Sequence, residues 1–100
     1  MDSLAFDPDI VRRLARSTDE ALFAECRQEK RQLLMRLVRQ AWDTELTDCQ
    51  RSYLLCYYQD TMTMREIAEL YGVTVPTVSR TLKRARERLR KVLQYYLRNA

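Results

Sequence analysis

Residues 61–90, TMTMREIAELYGVTVPTVSRTLKRARERLR, contain the only glycine of this 100-residue chain, at Gly72. The glycine stands between two amphipathic segments, and the second segment is rich in arginine. A residue just after a helix often needs a positive φ, which glycine tolerates because it has no Cβ. The sequence therefore predicts a helix that ends at Gly72 and a sharp turn into a second helix.

The residues around this turn are typical of helix ends. Thr63 and Glu66 have the spacing of a capping box, which predicts the start of the first helix. Thr74 can cap the second helix, with Pro76 in its first turn, where the missing N–H costs no helical bond. Two helices joined by about three residues form a helix-turn-helix. An ordinary corner between two helices would share this turn, so the second helix has to distinguish the two interpretations.

The second helix is predicted to have one buried and one basic face. The buried stripe is expected to contain Val75, Val78, Leu82, Ala85, Leu89, Val92 and Tyr96. The opposite face and its flanks carry Pro76, Thr77, Ser79, Arg80, Lys83, Arg84, Glu87, Arg90 and Lys91. Arg80 and Lys83 can pair with guanine edges or with phosphates, and the hydroxyl groups of Thr77 and Ser79 can bind either. For Arg86, Arg88, Arg90, Lys91 and Arg98, attraction to a phosphate backbone, solubility and salt links with Glu87 remain alternatives.

The charge of the chain is concentrated near its C-terminus. Residues 1–45 carry eight Lys/Arg against nine Asp/Glu, whereas residues 46–100 carry ten against five. Residues 73–98 carry eight basic side chains and one acidic side chain, Glu87. A positive field at one end suits a polyanion, although a solvated helix face would also explain it.

Composition narrows the fold and the function. One Gly, two Pro and abundant Leu, Arg, Glu, Gln and Ala favour a single all-α helical bundle with a C-terminal helix-turn-helix. Because there is no histidine and no nucleophile or phosphate-loop motif, we expect no catalytic residues, no cofactor and no metal site, and hence no enzyme. The cysteines Cys26, Cys49 and Cys56 are expected to be reduced and partly buried. No apolar run could cross a bilayer, so we expect a soluble, cytoplasmic protein.

The N-terminal part, residues 1–45, is predicted to be a separate pair of amphipathic helices. Asp7 and Pro8 can begin one that reaches about Arg16, and a capping box at Ser17 can begin another that continues to about Asp43. The apolar face of the second helix would either pack onto residues 46–100 or form a homodimer. Residues 46–100 begin with another capping box, Thr47 with Gln50, ahead of an apolar, tyrosine-rich helix.

From Leu46 onward the chain resembles region 4 of bacterial sigma-70-type factors, the domain that reads the −35 promoter element, and is most similar to the extracytoplasmic-function group. The segments LTDCQR and REIAELYGVTVPTVSRTLKRARERLR, with the spacing between them, carry the resemblance, which covers about fifty of the 100 residues. It implies that Ser79, Arg80, Lys83 and Arg84 face DNA, that Arg65 and the helix start at Thr63 lie near phosphates, and that the unit contacts RNA polymerase.

The resemblance has departures and a missing part. Thr61 stands where the family commonly has glycine, and residues 79–81 read Ser-Arg-Thr where a basic-Ser-Arg order is usual, so the resemblance does not fix the DNA sequence. Nothing resembles the family's region 2, and the 45 upstream residues are too few to hold it. We therefore expect a chain that is not a complete sigma factor by itself.

Three functions are consistent with these patterns. The leading hypothesis is a regulator of transcription that binds double-stranded DNA sequence-specifically through a helix from about Thr74, as a dimer or with help, because one helix in one groove buries a small interface. The second is a detached sigma-factor domain or modulator that acts through RNA polymerase. The third is a helical adaptor with no preference for duplex DNA.

Overall fold

The computed structural model describes residues 12–14, 16 and 28–98, and every regular element in that part of the chain is helical. Its named helices are α1 (Gln28–Glu45), α2 (Asp48–Tyr58), α3 (Met64–Tyr71) and α4 (Val75–Arg98). Residues 12–14 and 16 are also helical. The prediction of an all-α fold with a C-terminal helix-turn-helix is confirmed. The helix starts predicted at Asp7 and Ser17 lie outside the described residues.

The junction between α1 and α2 is fixed by side chains that bind exposed backbone groups. The predicted capping box is present: Gln50 donates its N–H to the Thr47 hydroxyl at 3.1 Å, and Thr47 donates its N–H to Oε1 of Gln50 at 3.0 Å. The Arg51 guanidinium donates to the carbonyl oxygens of Trp42 at 3.2 Å and Leu46 at 2.7 Å. These carbonyls lie at the end of α1, where helical partners are missing. Arg51 therefore caps α1 from the first turns of α2.

The C-terminal end of α2 is held in a similar way. Tyr58 is its last residue, and Arg13 donates a hydrogen bond to the Tyr58 carbonyl oxygen at 2.8 Å. Arg86 of α4 donates to the Tyr58 hydroxyl at 3.3 Å. Leu14, next to Arg13, is buried in the common core. The N-terminal residues that the structure describes are thus joined to the C-terminal half of the chain.

Helix α4 is the centre of the fold, because α1, α2 and α3 all pack against it. Its fully buried side chains are Val78, Leu82, Ala85, Leu89 and Leu93. Burying one such leucine contributes about 1.5–3 kcal/mol relative to exposing it. The side chains that surround this stripe include Leu34, Val38, Trp42, Leu54 and Ile67, all of which are likewise fully buried.

The predicted buried stripe on α4 is correct in its middle and wrong at its start. Val75 is 40% exposed, whereas Leu93, which the prediction omitted, is fully buried. Val75 and Leu93 lie at nearly the same angle around a helix of 3.6 residues per turn. The period gives the angle of a side chain but not where the neighbouring helices end, and Val75 is the first residue of α4. The side chain of Tyr96 lies outside the described part.

The apolar face of α1 packs onto the C-terminal helices. Leu34, Leu37, Val38, Ala41 and Trp42 all belong to the core that contains the α4 stripe. At the end of α1, Glu45 forms an ion pair with Arg88 of α4 at 3.0 Å. The sequence left open whether this helix packs onto residues 46–100 or forms a homodimer. The described part of α1 packs onto residues 46–100 of its own chain.

The expectations about cysteines, membrane-spanning helices and metal sites concern the rest of the molecule. Cys56 is buried as expected, but Cys49, in the first turn of α2, is exposed, and Cys26 lies outside the described residues. Among the described helices, none has both the length and the apolar character needed to cross a membrane. The described residues also contain no cluster of three or more side chains that could hold a metal ion.

Candidate nucleic-acid interface

Helix α3 begins with the second predicted capping box. Glu66 donates its N–H to the Thr63 hydroxyl at 3.1 Å, and Thr63 donates its N–H to Oε1 of Glu66 at 2.9 Å. The hydrogen bond from the Thr63 backbone lowers the pKa of Glu66, since it favours the charged carboxylate. The carboxylate at this helix start already binds the N–H of Thr63. Arg65, in the first turn of the same helix, is exposed.

The turn after α3 has the conformation that the glycine predicted. Gly72 has φ +67° and ψ +35°, which is the left-handed region. Val73 donates its N–H to the Ala68 carbonyl oxygen at 2.9 Å, and Gly72 donates to that of Glu69 at 3.4 Å. This pair of bonds is a Schellman motif, which satisfies carbonyl groups at the end of α3. Ala68 is buried beside the turn, where its small side chain allows α3 and α4 to approach closely.

The start of α4 is capped by threonines. Thr77 donates its N–H to the Thr74 hydroxyl at 3.3 Å, as predicted, and the two hydroxyl groups lie 2.9 Å apart. Thr77 is half-buried, and its carbonyl oxygen accepts a hydrogen bond from the Thr81 hydroxyl at 2.9 Å. The Thr77 hydroxyl is thus already engaged with Thr74. Pro76 lies in the first turn of α4 and is exposed.

Three basic side chains form one exposed cluster on the turn of α4 that follows this cap. Arg80, Lys83 and Arg84 are all exposed, as is Ser79 beside them. At about 100° per residue they lie within a third of the helix circumference and within about 6 Å along the axis. Leu82 and Ala85, on the opposite side of the same turn, are fully buried. The core therefore holds this face of α4 outward.

Residues 44–91 match the model of one protein family, described as sigma-70, region 4. Residues 44–91 form a sigma-70 region 4 domain. No curated protein and no solved structure matched the chain. The match begins two residues before the segment on which the resemblance rested and ends inside α4. Region 4 domains are DNA-binding helix-turn-helix units, and the turn at Gly72 lies within the matched residues.

The predicted site residues of the region 4 domain divide into two groups. Thr74, Pro76, Thr77, Ser79, Arg80, Lys83 and Arg84 belong to the first three turns of α4 and its cap, whereas Arg65 belongs to the first turn of α3. All of them are exposed except Thr77, which is half-buried. The α4 group is therefore one continuous surface, and Arg65 extends the candidate interface onto the preceding helix.

Two arginines of the region 4 domain have structural partners that the sequence did not reveal. Arg86 is half-buried and donates to the Tyr58 hydroxyl, and Arg88 pairs with Glu45, a partner outside the alternatives that the sequence left open. Both contacts join residues far apart in the chain, so helical spacing alone could not have found them. The positive charge of α4 is consequently used in part to hold helices together.

A tyrosine pair fixes α3 against α2 behind the candidate interface. The rings of Tyr53 and Tyr71 lie 4.8 Å apart between centroids, and the Tyr71 hydroxyl is 3.9 Å from Sγ of Cys56. Burial raises the pKa of Tyr53 and of Tyr71 above the ordinary value of tyrosine. Tyr53 is buried in the core, whereas Tyr71 packs against it with 43% of its surface exposed.

Proposed function

We propose that this protein regulates transcription by binding double-stranded DNA sequence-specifically, with the N-terminal end of α4 in the major groove. The observation that carries this proposal is the exposed cluster of Arg80, Lys83 and Arg84 directly after the turn at Gly72. The cluster lies on the region 4 helix-turn-helix and is backed by fully buried side chains. A rigid backing favours recognition, because a preorganised side chain loses less conformational entropy on binding.

The roles follow from the chemistry of each side chain. Arg80 and Lys83 would pair with the O6 and N7 atoms of guanine, and Ser79 would donate to or accept from a neighbouring base. Arg84, one turn farther along, and Arg65 on α3 would bind phosphates and set the register of α4 on the duplex. Thr74 and Pro76 would lie where α4 enters the groove, and Thr77 would orient the start of the helix through Thr74.

The first experiment selects bound fragments from random duplex DNA with the full chain. We expect an enriched sequence, and on that sequence Arg80→Ala should lose about 1–3 kcal/mol, or roughly 5- to 150-fold in affinity, with relaxed preference at one position. Arg39→Ala is the matched control, because Arg39 is exposed on α1, outside the region 4 match. Parental affinity and preference in both Arg80→Ala and Lys83→Ala would contradict the proposal and favour an adaptor with no duplex preference.

A second candidate function is binding of DNA through the same surface while this chain is attached to RNA polymerase. The region 4 match favours it, since domains of this family act with polymerase. A single helix in one groove gives modest affinity, and the described apolar face of α1 is already buried, so a homodimer would need another surface. Repeating the selection with polymerase present distinguishes the candidates. Enrichment only with polymerase would assign the chain to a detached sigma domain or modulator.

A further inference from the structure

A shallow groove lies between the end of α1 and the second half of α4. It has a volume of about 270 Å³ and is lined by Glu45, Arg88, Lys91, Val92 and Tyr95. The ion pair between Arg88 and Glu45 joins its two sides. Val92 and Tyr95 lie beyond the family match, which ends at residue 91. The groove is therefore partly built from residues that the region 4 match does not include.

The charges in the groove favour an acidic ligand. Two cations line it against one carboxylate, and that carboxylate is already paired with Arg88. A guanidinium carries five N–H donors in a planar fork, so Arg88 can bind Glu45 and a second carboxylate together. Lys91 is exposed at the same place and adds a mobile positive charge.

The remaining lining is apolar and favours a peptide over a phosphate backbone. Tyr95 is 64% exposed and Val92 is half-buried, so together they offer a ring and a branched side chain to a ligand. A phosphodiester gains little from such contacts, whereas an aromatic or aliphatic side chain gains buried apolar area. Tyr95 also lies 15 residues after Arg80, or about 22 Å along the helix, and the major groove is only about 12 Å wide.

We propose that this groove docks an acidic segment of a partner protein, with an aromatic or branched aliphatic side chain packed on Tyr95 and carboxylates bound to Arg88 and Lys91. Tyr95, at the apolar end of the groove, lies about 22 Å along α4 from Arg80, so a side chain packed on Tyr95 leaves the base-reading residues accessible. Through it, a second protein would contact the chain at the end of the DNA-reading helix.

The test uses the full chain and a fluorescein-labelled peptide of sequence EEDLFDEE, followed by fluorescence anisotropy. We expect a Kd on the order of 0.1 mM that weakens with salt, as contacts between exposed charges do. Lys91→Glu should raise the Kd at least about tenfold, and Tyr95→Ala about fivefold. Arg90→Glu is the matched control, because Arg90 is also exposed on α4 but points about 100° away, and it should change the Kd less than about twofold.

A second measurement requires no variant. Backbone amide shifts of the ¹⁵N-labelled parent, titrated with the peptide, should move around Glu45, Lys91 and Tyr95. A peptide of sequence EEDSSDEE should bind several-fold more weakly, because it lacks the apolar side chains. If both peptides bind equally well, or if Arg90→Glu and Lys91→Glu raise the Kd equally, the peptide is attracted only by the overall positive charge of α4. Either result would overturn the proposal.

Binding of the selected DNA is measured in parallel. If DNA displaces the peptide and Lys91→Glu weakens DNA binding as much as Arg80→Ala does, the groove is a phosphate contact and the docking proposal is wrong. If no variant affects DNA but the peptide binds as expected, docking stands and the DNA-binding function fails. The two proposals can thus fail separately.

Discussion

The turn between α3 and α4 can be tested by adding a side chain to Gly72. Its φ of +67° lies in the left-handed region, and a Cβ built at this position meets no atom within 4 Å. Replacing Gly72 with alanine therefore causes no clash with neighbouring residues. Its whole cost comes from the local backbone conformation, which makes this position a clean measure of the turn.

The expected change in the free energy of unfolding is the difference between two opposing contributions. Left-handed backbone costs an ordinary residue about 1–2 kcal/mol. Replacing glycine also restricts the unfolded chain, which returns about 0.4–1 kcal/mol. Gly72→Ala should therefore lower the free energy of unfolding by about 1 kcal/mol, since the two terms partly cancel. Gly72→Val should cost about 1 kcal/mol more, because a β-branched side chain is a steric outlier at positive φ.

Urea unfolding followed by far-UV circular dichroism measures both changes. A loss of 1 kcal/mol should also lower the melting temperature by about 4–8 °C in a domain of this size. Gly72→Asn is the control, because asparagine tolerates left-handed backbone and should cost less than alanine despite its larger side chain. If Gly72→Ala is as stable as the parent, or if asparagine costs as much as valine, the positive φ does not determine the turn.

Three further substitutions test the elements around this turn. Thr61 has a positive φ of 51°, so Thr61→Gly should stabilise the chain by up to about 1 kcal/mol in urea unfolding, and a loss of stability would contradict the strain. The pKa of Glu66 is lowered in the folded state, so its contribution is present above its ordinary pKa of 4.5 and is lost as pH falls through the lower folded-state value. In Glu66→Gln, unfolding measured between neutral pH and pH about 3 should therefore depend less on pH than in the parent, and an unchanged dependence would exclude this carboxylate as its source. Arg51→Met should lower the free energy of unfolding by about 1–3 kcal/mol, because the carbonyl oxygens of Trp42 and Leu46 lose a charged donor. Unchanged thermal unfolding would mean that water replaces the guanidinium.

The helix starts and the turn could be predicted because they depend on residues three or four positions apart. The capping boxes at Thr47 and Thr63 and the left-handed Gly72 are of this kind, and all three are present. The exposed cluster on α4 could also be predicted, since helical period places Arg80 opposite Leu82 and Lys83 opposite Ala85.

The contacts and exposures that could not be predicted from the sequence depend on how the helices cross. The partners of Arg86 and Arg88 lie on α2 and α1, and their distances depend on packing angles that no local pattern encodes. The exposure of Val75 depends on where the neighbouring helices end. The positive φ of Thr61 had one signal, the glycine that the sigma-70 family commonly has at that turn, but residue type alone predicts the opposite for threonine.

Part of the chain's positive charge has a structural role. Arg13, Arg51, Arg86 and Arg88 bind a carbonyl oxygen, a hydroxyl or a carboxylate of another part of the chain. Each joins two helical segments, and the planar fork of arginine suits such contacts. The remaining exposed cations that the structure describes on α4 form an N-terminal group of Arg80, Lys83 and Arg84 and a later group of Arg90 and Lys91. Because Lys91 lies about three turns after Arg80, the two ends of this run of cations can offer two binding surfaces on one helix.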